Sequence, residues 1–250
     1  MEGWKLSAAS TLFLQKDGKV HARDLLKLAI KELILEGTWT VANAERPRRL
    51  RGPGPVILLV RGNRPPPGRP PLGLAHSLVS SGPVETLGGV EGREIRAMAK
   101  HIAKTRRRLS TELPQRVATD LSNQGLMDWV QWRALGIFRR SRMVPTEAGK
   151  RVLEECRRHE QALAALPASK DEMDKVLASA AGLALLTPGG VGSIDFGGGG
   201  FDGAFGSSFD GAFDGAFDSA FDSGFSDGGG GGGGGGDGGG GGNGGSGGGD

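Results

Sequence analysis

A chain of 250 residues with 47 glycines, one cysteine and a formal net charge of +3 can hold one or two domains, and its single thiol excludes an internal disulfide. The charge is divided: residues 1–194 carry all 31 Lys and Arg against 19 Asp and Glu, and residues 195–250 carry nine Asp and no base, giving a body of +12 and a tail of −9. So basic a body suits a polyanionic partner, nucleic acid or an anionic lipid surface, for which the acidic tail can compete; the alternative is that both charges serve solubility alone.

The amino terminus, MEGWKLSAAS, lacks the apolar core of a signal peptide. The charge-free stretch 176–194 is interrupted by Thr187, Pro188 and glycines short of the roughly 20 apolar residues of a bilayer span. These features predict a cytoplasmic protein whose membrane association is peripheral. Leu6 to Val20 is a short apolar run closed by the turn dipeptide Asp17-Gly18. Arg23 to Glu36, with Leu or Ile at 25, 26, 28, 30, 33, 34 and 35, reads as the principal core helix, ended by Gly37. Thr38 to Val41 and Val56 to Val60 read as strands flanking a basic loop with Arg46, Arg48, Arg49 and Arg51. Prolines at 65, 66, 67, 70 and 71 favour a stiff polyproline connector, and Leu72 to Val79 a short helix after it. Ile95, Met98, Ala99 and Ile102 predict a helix over Glu91 to Leu109, whose last turn would hold Arg106, Arg107 and Arg108 at the negative end of the helix dipole.

Leu113, Val117, Ala118 and Leu121 repeat at helical spacing, with Pro114 expected in the first turn and Gly125 as the stop. Leu126 to Val144 is rich in strand-forming residues and carries Arg139, Arg140 and Arg142 in its second half. Trp129 and Trp132, three apart, cannot share one face of a strand, so one packs and the other is presented. Thr146 can cap a helix with apolar positions Val152, Leu153, Cys156 and Leu163. A capping box of Ser169 and Glu172 opens a last helix through Met173, Val176, Leu177 and Ala180. Beyond Pro188, phenylalanines at 201, 205, 209, 213, 217, 221 and 225 recur every four residues among glycines. Glycine costs a helix about 1 kcal/mol against alanine, so this tail is expected to be disordered and weakly self-associating through its rings.

Two families resemble parts of this order. Residues 104–149, a helix ended by LSNQGLM, a basic hairpin and the threonine-capped MVPTEAGKRVLEE, resemble the winged helix of transcription regulators. Over residues 5–187 the segments KDGKV, LLKLAIKELILEG, VILLV, PPGRPPLGLAHSL, LSNQGLM and ALGIFRRSRMVP resemble, in order, the Golgi phosphoprotein three family and its bacterial relatives. That second resemblance implies a mostly helical domain binding phosphatidylinositol 4-phosphate headgroups. The tryptophan of the eukaryotic lipid site has no counterpart in Asp17 to Asp24, and the family's arginines fall near Thr111 and Pro114 rather than on Arg108 and Arg116.

No enzyme constellation is visible: the four histidines, His21, His76, His101 and His159, are scattered, Cys156 and His159 lack further metal ligands, and Gly149-Lys150 lacks the rest of a phosphate loop. The sequence therefore predicts a mainly α protein, with one compact helical domain over 1–188 bearing short β-hairpins and a winged-helix-like motif, and a disordered tail over 189–250. Its expected function is non-catalytic and cofactor-free binding of an anionic phospholipid surface through Arg106, Arg107, Arg108, Arg116, Arg139, Arg140 and Arg142. The alternative is nucleic-acid binding, with Gln115, Arg116, Thr119 and Asn123 facing the major groove.

Overall fold

The protein is described by a computed structural model covering residues 6–47, 54–134, 138–165 and 207–222. Helix α1 (Ala8–Gln15) is capped by Ser7, whose hydroxyl accepts the Ser10 N–H at 3.0 Å. It ends in the expected turn, with Asp17 and Gly18 both left-handed. Helix α2 (Ala22–Leu35) is the centre of the core: Leu25, Leu26, Ala29, Ile30 and Leu33 are at most 1 % exposed. It packs against α1, against α3 (Pro70–Ser80) and against α5 (Arg106–Asn123). Gly37, at φ 74°, reverses the chain into β1 (Trp39–Arg46), which pairs antiparallel with β2 (Gly54–Arg61).

The described residues are mostly helical, as expected, but they also carry a small sheet, so the fold is mixed α/β rather than purely helical. A four-stranded antiparallel sheet in the order β1-β2-β4-β3 is completed by β3 (Glu85–Leu87) and β4 (Val90–Glu94). Sequence periodicity reads through β4 as helix because its residues run directly into α4 (Ile95–Ala103), whose Ile95, Met98, Ala99 and Ile102 do carry the apolar stripe. The free edge of β2 takes Arg93 and Glu94 opposite Leu59 and Leu58, and this non-local pairing decides the local conformation.

After α4 the chain turns at Lys104 and Thr105 and enters α5, which buries Leu109, Leu113, Val117 and Leu121. Pro114 lies within α5 and not in its first turn. Its ring removes the hydrogen bond to the Ser110 carbonyl, and Ser110 is exposed, so water can serve that oxygen. A two-stranded hairpin, β5 (Met127–Ala134) with β6 (Phe138–Pro145), follows, and then α6 (Glu147–Ala165). The helix expected from Met173 to Ala180 and the loop arginines Arg48, Arg49 and Arg51 lie outside the described residues.

The tail departs from expectation. Ser207–Asp222 forms α7, packed on α2 and α4, with Phe209, Phe213 and Phe217 at 3, 0 and 0 % exposure inside the main core. Burying each ring is worth roughly 1.5–3 kcal/mol, which outweighs about 1 kcal/mol lost at each of Gly211 and Gly215. The packed unit thus extends past Pro188 in sequence, and the rest of 189–250 lies outside the described residues.

Candidate anionic-surface interface

The seven arginines read from the sequence fall into two groups. Arg106, Arg107 and Arg108 open α5, where the helix dipole is positive, not the last turn of the preceding helix. There a cation costs a few tenths of a kcal/mol instead of gaining it, so the helix dipole does not account for the triplet. Arg108 Nε donates to Glu112 Oε2 at 2.7 Å, and Arg116 Nη2 to Glu112 Oε1 at 2.6 Å. Hydrogen bonds from Arg108 and then Arg116 hold the Glu112 carboxyl below its usual range. One carboxylate thereby serves two guanidiniums and the face stays positive. The 108, 112, 116 spacing was legible in the sequence as an i, i+4 staple.

The second group lies on β6. Its base is pinned: Thr146 Oγ1 donates to the Gly125 carbonyl at 2.7 Å and accepts the Gly149 N–H at 3.1 Å, which caps α6 as expected. A Cβ on Gly149 would stand 2.1 Å from the Leu126 carbonyl oxygen, so glycine is required there. Met127 and Met143 anchor the hairpin in the core, and next to them Asp128, Trp129, Val130, Gln131, Ser141 and Arg142 are exposed. In register, Trp132 faces Arg140, Arg133 faces Arg139, and Val130 faces Arg142. Trp129 is 55 % exposed and Val130 42 %, so Trp129 is presented to solvent, while the side chain of Trp132 lies outside the described residues.

Several other basic residues are engaged in ion pairs. Arg46 ends β1 and pairs with Glu85 and Glu94. A basic row the sequence reading missed, Arg23, Lys27 and Lys31 on α2, is covered by the aspartates of α7. The signal was present, since both sets recur every four residues.

His76 and Ser80 lie on α3 with Nε2 and Oγ 3.3 Å apart. Trp39 Nε1 donates to His76 Nδ1 at 3.1 Å, so the neutral ring carries its proton on Nε2 and points a donor at the serine. That polarity is opposite to the one a base activating a nucleophile requires. Burial, then Arg61 and Arg93, push the His76 pKa down and favour the neutral ring. Cys156 is buried on α6 while His159 is exposed, and among the described residues no three His, Cys, Asp or Glu are grouped to hold a metal. Among the same residues no helix is long and apolar enough to cross a membrane. The chain matches no family model, no curated protein and no solved structure.

Proposed function

We propose that the protein is a non-catalytic module that binds anionic membrane surfaces peripherally, with phosphoinositide headgroups among its ligands, as the resemblance to the Golgi phosphoprotein three family implies. One observation carries this reading: Trp129 and Val130, two large apolar side chains, are exposed on a hairpin whose opposite strand bears Arg139, Arg140 and Arg142. Exposed aromatic and aliphatic side chains on a basic hairpin suit the headgroup level of a bilayer. The first turn of α5 adds Arg106, Arg107 and Arg108, with Arg116 two turns along.

The test is co-sedimentation of the full chain with vesicles of phosphatidylcholine alone or with phosphatidylserine or phosphatidylinositol 4-phosphate added. At about 1 kcal/mol per basic contact, replacing Arg139, Arg140 and Arg142 together by alanine should weaken binding roughly a hundredfold, and Trp129→Ala should weaken it without altering the salt dependence. Sequence-selective binding of duplex DNA with no recruitment to anionic vesicles would replace this reading by the second. That second reading, a winged-helix nucleic-acid binder, is favoured by one specific feature: Gln115, Arg116, Thr119 and Asn123 are all exposed along one face of α5, directly before the basic hairpin.

A further inference from the structure

Helix α7 and helix α2 carry matched ladders. On α2 the cations are Arg23, Lys27 and Lys31, and on α7 the anions are Asp210, Asp214, Asp218 and Asp222, running in the opposite direction. Lys31 Nζ lies 3.0 Å from Asp210 and 3.3 Å from Asp214. Lys27 Nζ lies 3.5 Å from Asp214 and 2.7 Å from Asp218, the shorter approach being a contact of charges without hydrogen-bond alignment. Arg23 Nη1 lies 3.4 Å from Asp218 and 3.1 Å from Asp222. Each cation therefore bridges two aspartates. Beside the ladder, Phe209, Phe213 and Phe217 fill the trench between α2 and α4, their rings stacked or tilted at 5.4 and 4.7 Å, and Lys31 sits 5.6 Å from the centre of the Phe213 ring.

We propose that this trench is a docking site for acidic helices with a phenylalanine every fourth residue, and that two copies of this chain associate by exchanging their α7 segments across it. Between α6 and α7 lie 41 residues, 166–206. That many residues span at most roughly 140 Å, at about 3.3–3.6 Å each, so the connection can reach a neighbouring chain's trench as well as its own. Such a tether gives the tail an effective concentration on the order of millimolar at its own trench, so single chains keep their tails at micromolar concentration. The contacts in the trench are the same whether the helix comes from its own chain or a neighbour, so exchange forfeits none of them. Where cis docking is blocked, or local concentration is high, the neighbour's tail takes the place. This inference does not depend on what the arginine hairpin binds.

Charge reversal in the full chain tests it. One chain carries Lys27→Glu and Lys31→Glu, and a second carries Asp214→Lys and Asp218→Lys. Each alone sets like charges against each other in cis, and should be a monomer by light scattering with protease-sensitive phenylalanines in α7. Mixed in equal amounts, the acidic tail of the first meets the basic trench of the second and the basic tail of the second meets the acidic trench of the first. The mixture should give a dimer with both tails protected, weakened at high salt. All four changes in one chain should restore a protected monomer. A mixture that stays monomeric with both tails cleaved, or a four-change chain whose tail stays open, would overturn the proposal. Should a charge-reversed chain fail to fold, Phe213→Asp with Phe217→Asp supplies the open trench, and added peptide of residues 207–222 should form a protected one-to-one complex with it; no binding of the peptide would overturn the proposal.

Discussion

Glu32 is 1 % exposed and held by donors from two other helices' starts: the Ala8 N–H reaches Oε2 at 2.8 Å and Arg69 Nη1 reaches Oε1 at 2.9 Å. Arg69 also pairs with Glu36, so one knot ties α1, α2 and α3. Burial pushes the Glu32 carboxyl up from 4.5 to about 7, against the pull of Arg69 and the Ala8 N–H. A carboxyl raised in the folded state binds more protons folded than unfolded between those values, so its contribution is fully present below pH 4.5 and is lost as pH rises through about 7. The expected loss across that window is on the order of 3 kcal/mol. Glu32→Gln should flatten this part of the melting-temperature profile, while adding a donor-against-donor contact at one partner. Equal pH slopes for both proteins would rule the assignment out. Nothing local in the sequence announced the knot, because Ala8 and Arg69 stand 24 and 37 residues away.

Among the elements, α2 was legible because its apolar residues are dense, and Gly37 and Gly125 were legible as stops because only glycine takes φ 74° and 68° without strain. The break between α4 and α5 was not, since Lys104 and Thr105 are neither glycine nor proline and the apolar period continues across them. That misplacement put Arg106, Arg107 and Arg108 at the wrong end of a helix dipole, and hid the stronger reason to regard them as ligand contacts. The hairpin arginines at 139, 140 and 142 were legible as a cluster from strand propensity alone. Helix α7 was missed because its propensity argues against it and its stabilising partners are distant. Gly211 and Gly215 within it have open space where a Cβ would stand. Replacing both by alanine should therefore stabilise the docked helix by about 1 kcal/mol each and slow proteolysis of the tail in proportion. No change in cleavage rate would mean that cutting does not pass through an unfolded α7.

For the molecule as a whole, the tail is part of the core as well as a counter-charge. A chain ending at Pro188 would lose three buried phenylalanines and uncover Arg23, Lys27 and Lys31. It should melt at lower temperature than the full chain and bind anionic vesicles more tightly at low salt, the difference shrinking as salt screens the uncovered row. Calorimetry and co-sedimentation of the two chains side by side measure both effects, and identical melting would show that α7 adds no stability. The order of elements was largely readable from the sequence, whereas the four-stranded sheet and the docked tail depend on pairings between segments far apart in the chain.

The spacing of the phenylalanines also limits what the tail can do by growing. Residues four apart on a helix of 3.6 residues per turn drift around its axis by about 40° at each step. Phe209, Phe213 and Phe217 point into the trench, while Phe221, one step further, is only partly buried. The stripe leaves the trench after about three steps. Inserting further Phe-Asp-Gly-Ala units after Phe217 would therefore multiply equivalent registers, worth a few tenths of a kcal/mol through their number, without lengthening the contact. The trench acts as a ruler: extra copies of the unit change the tail's length and charge and leave its grip on the body as it was.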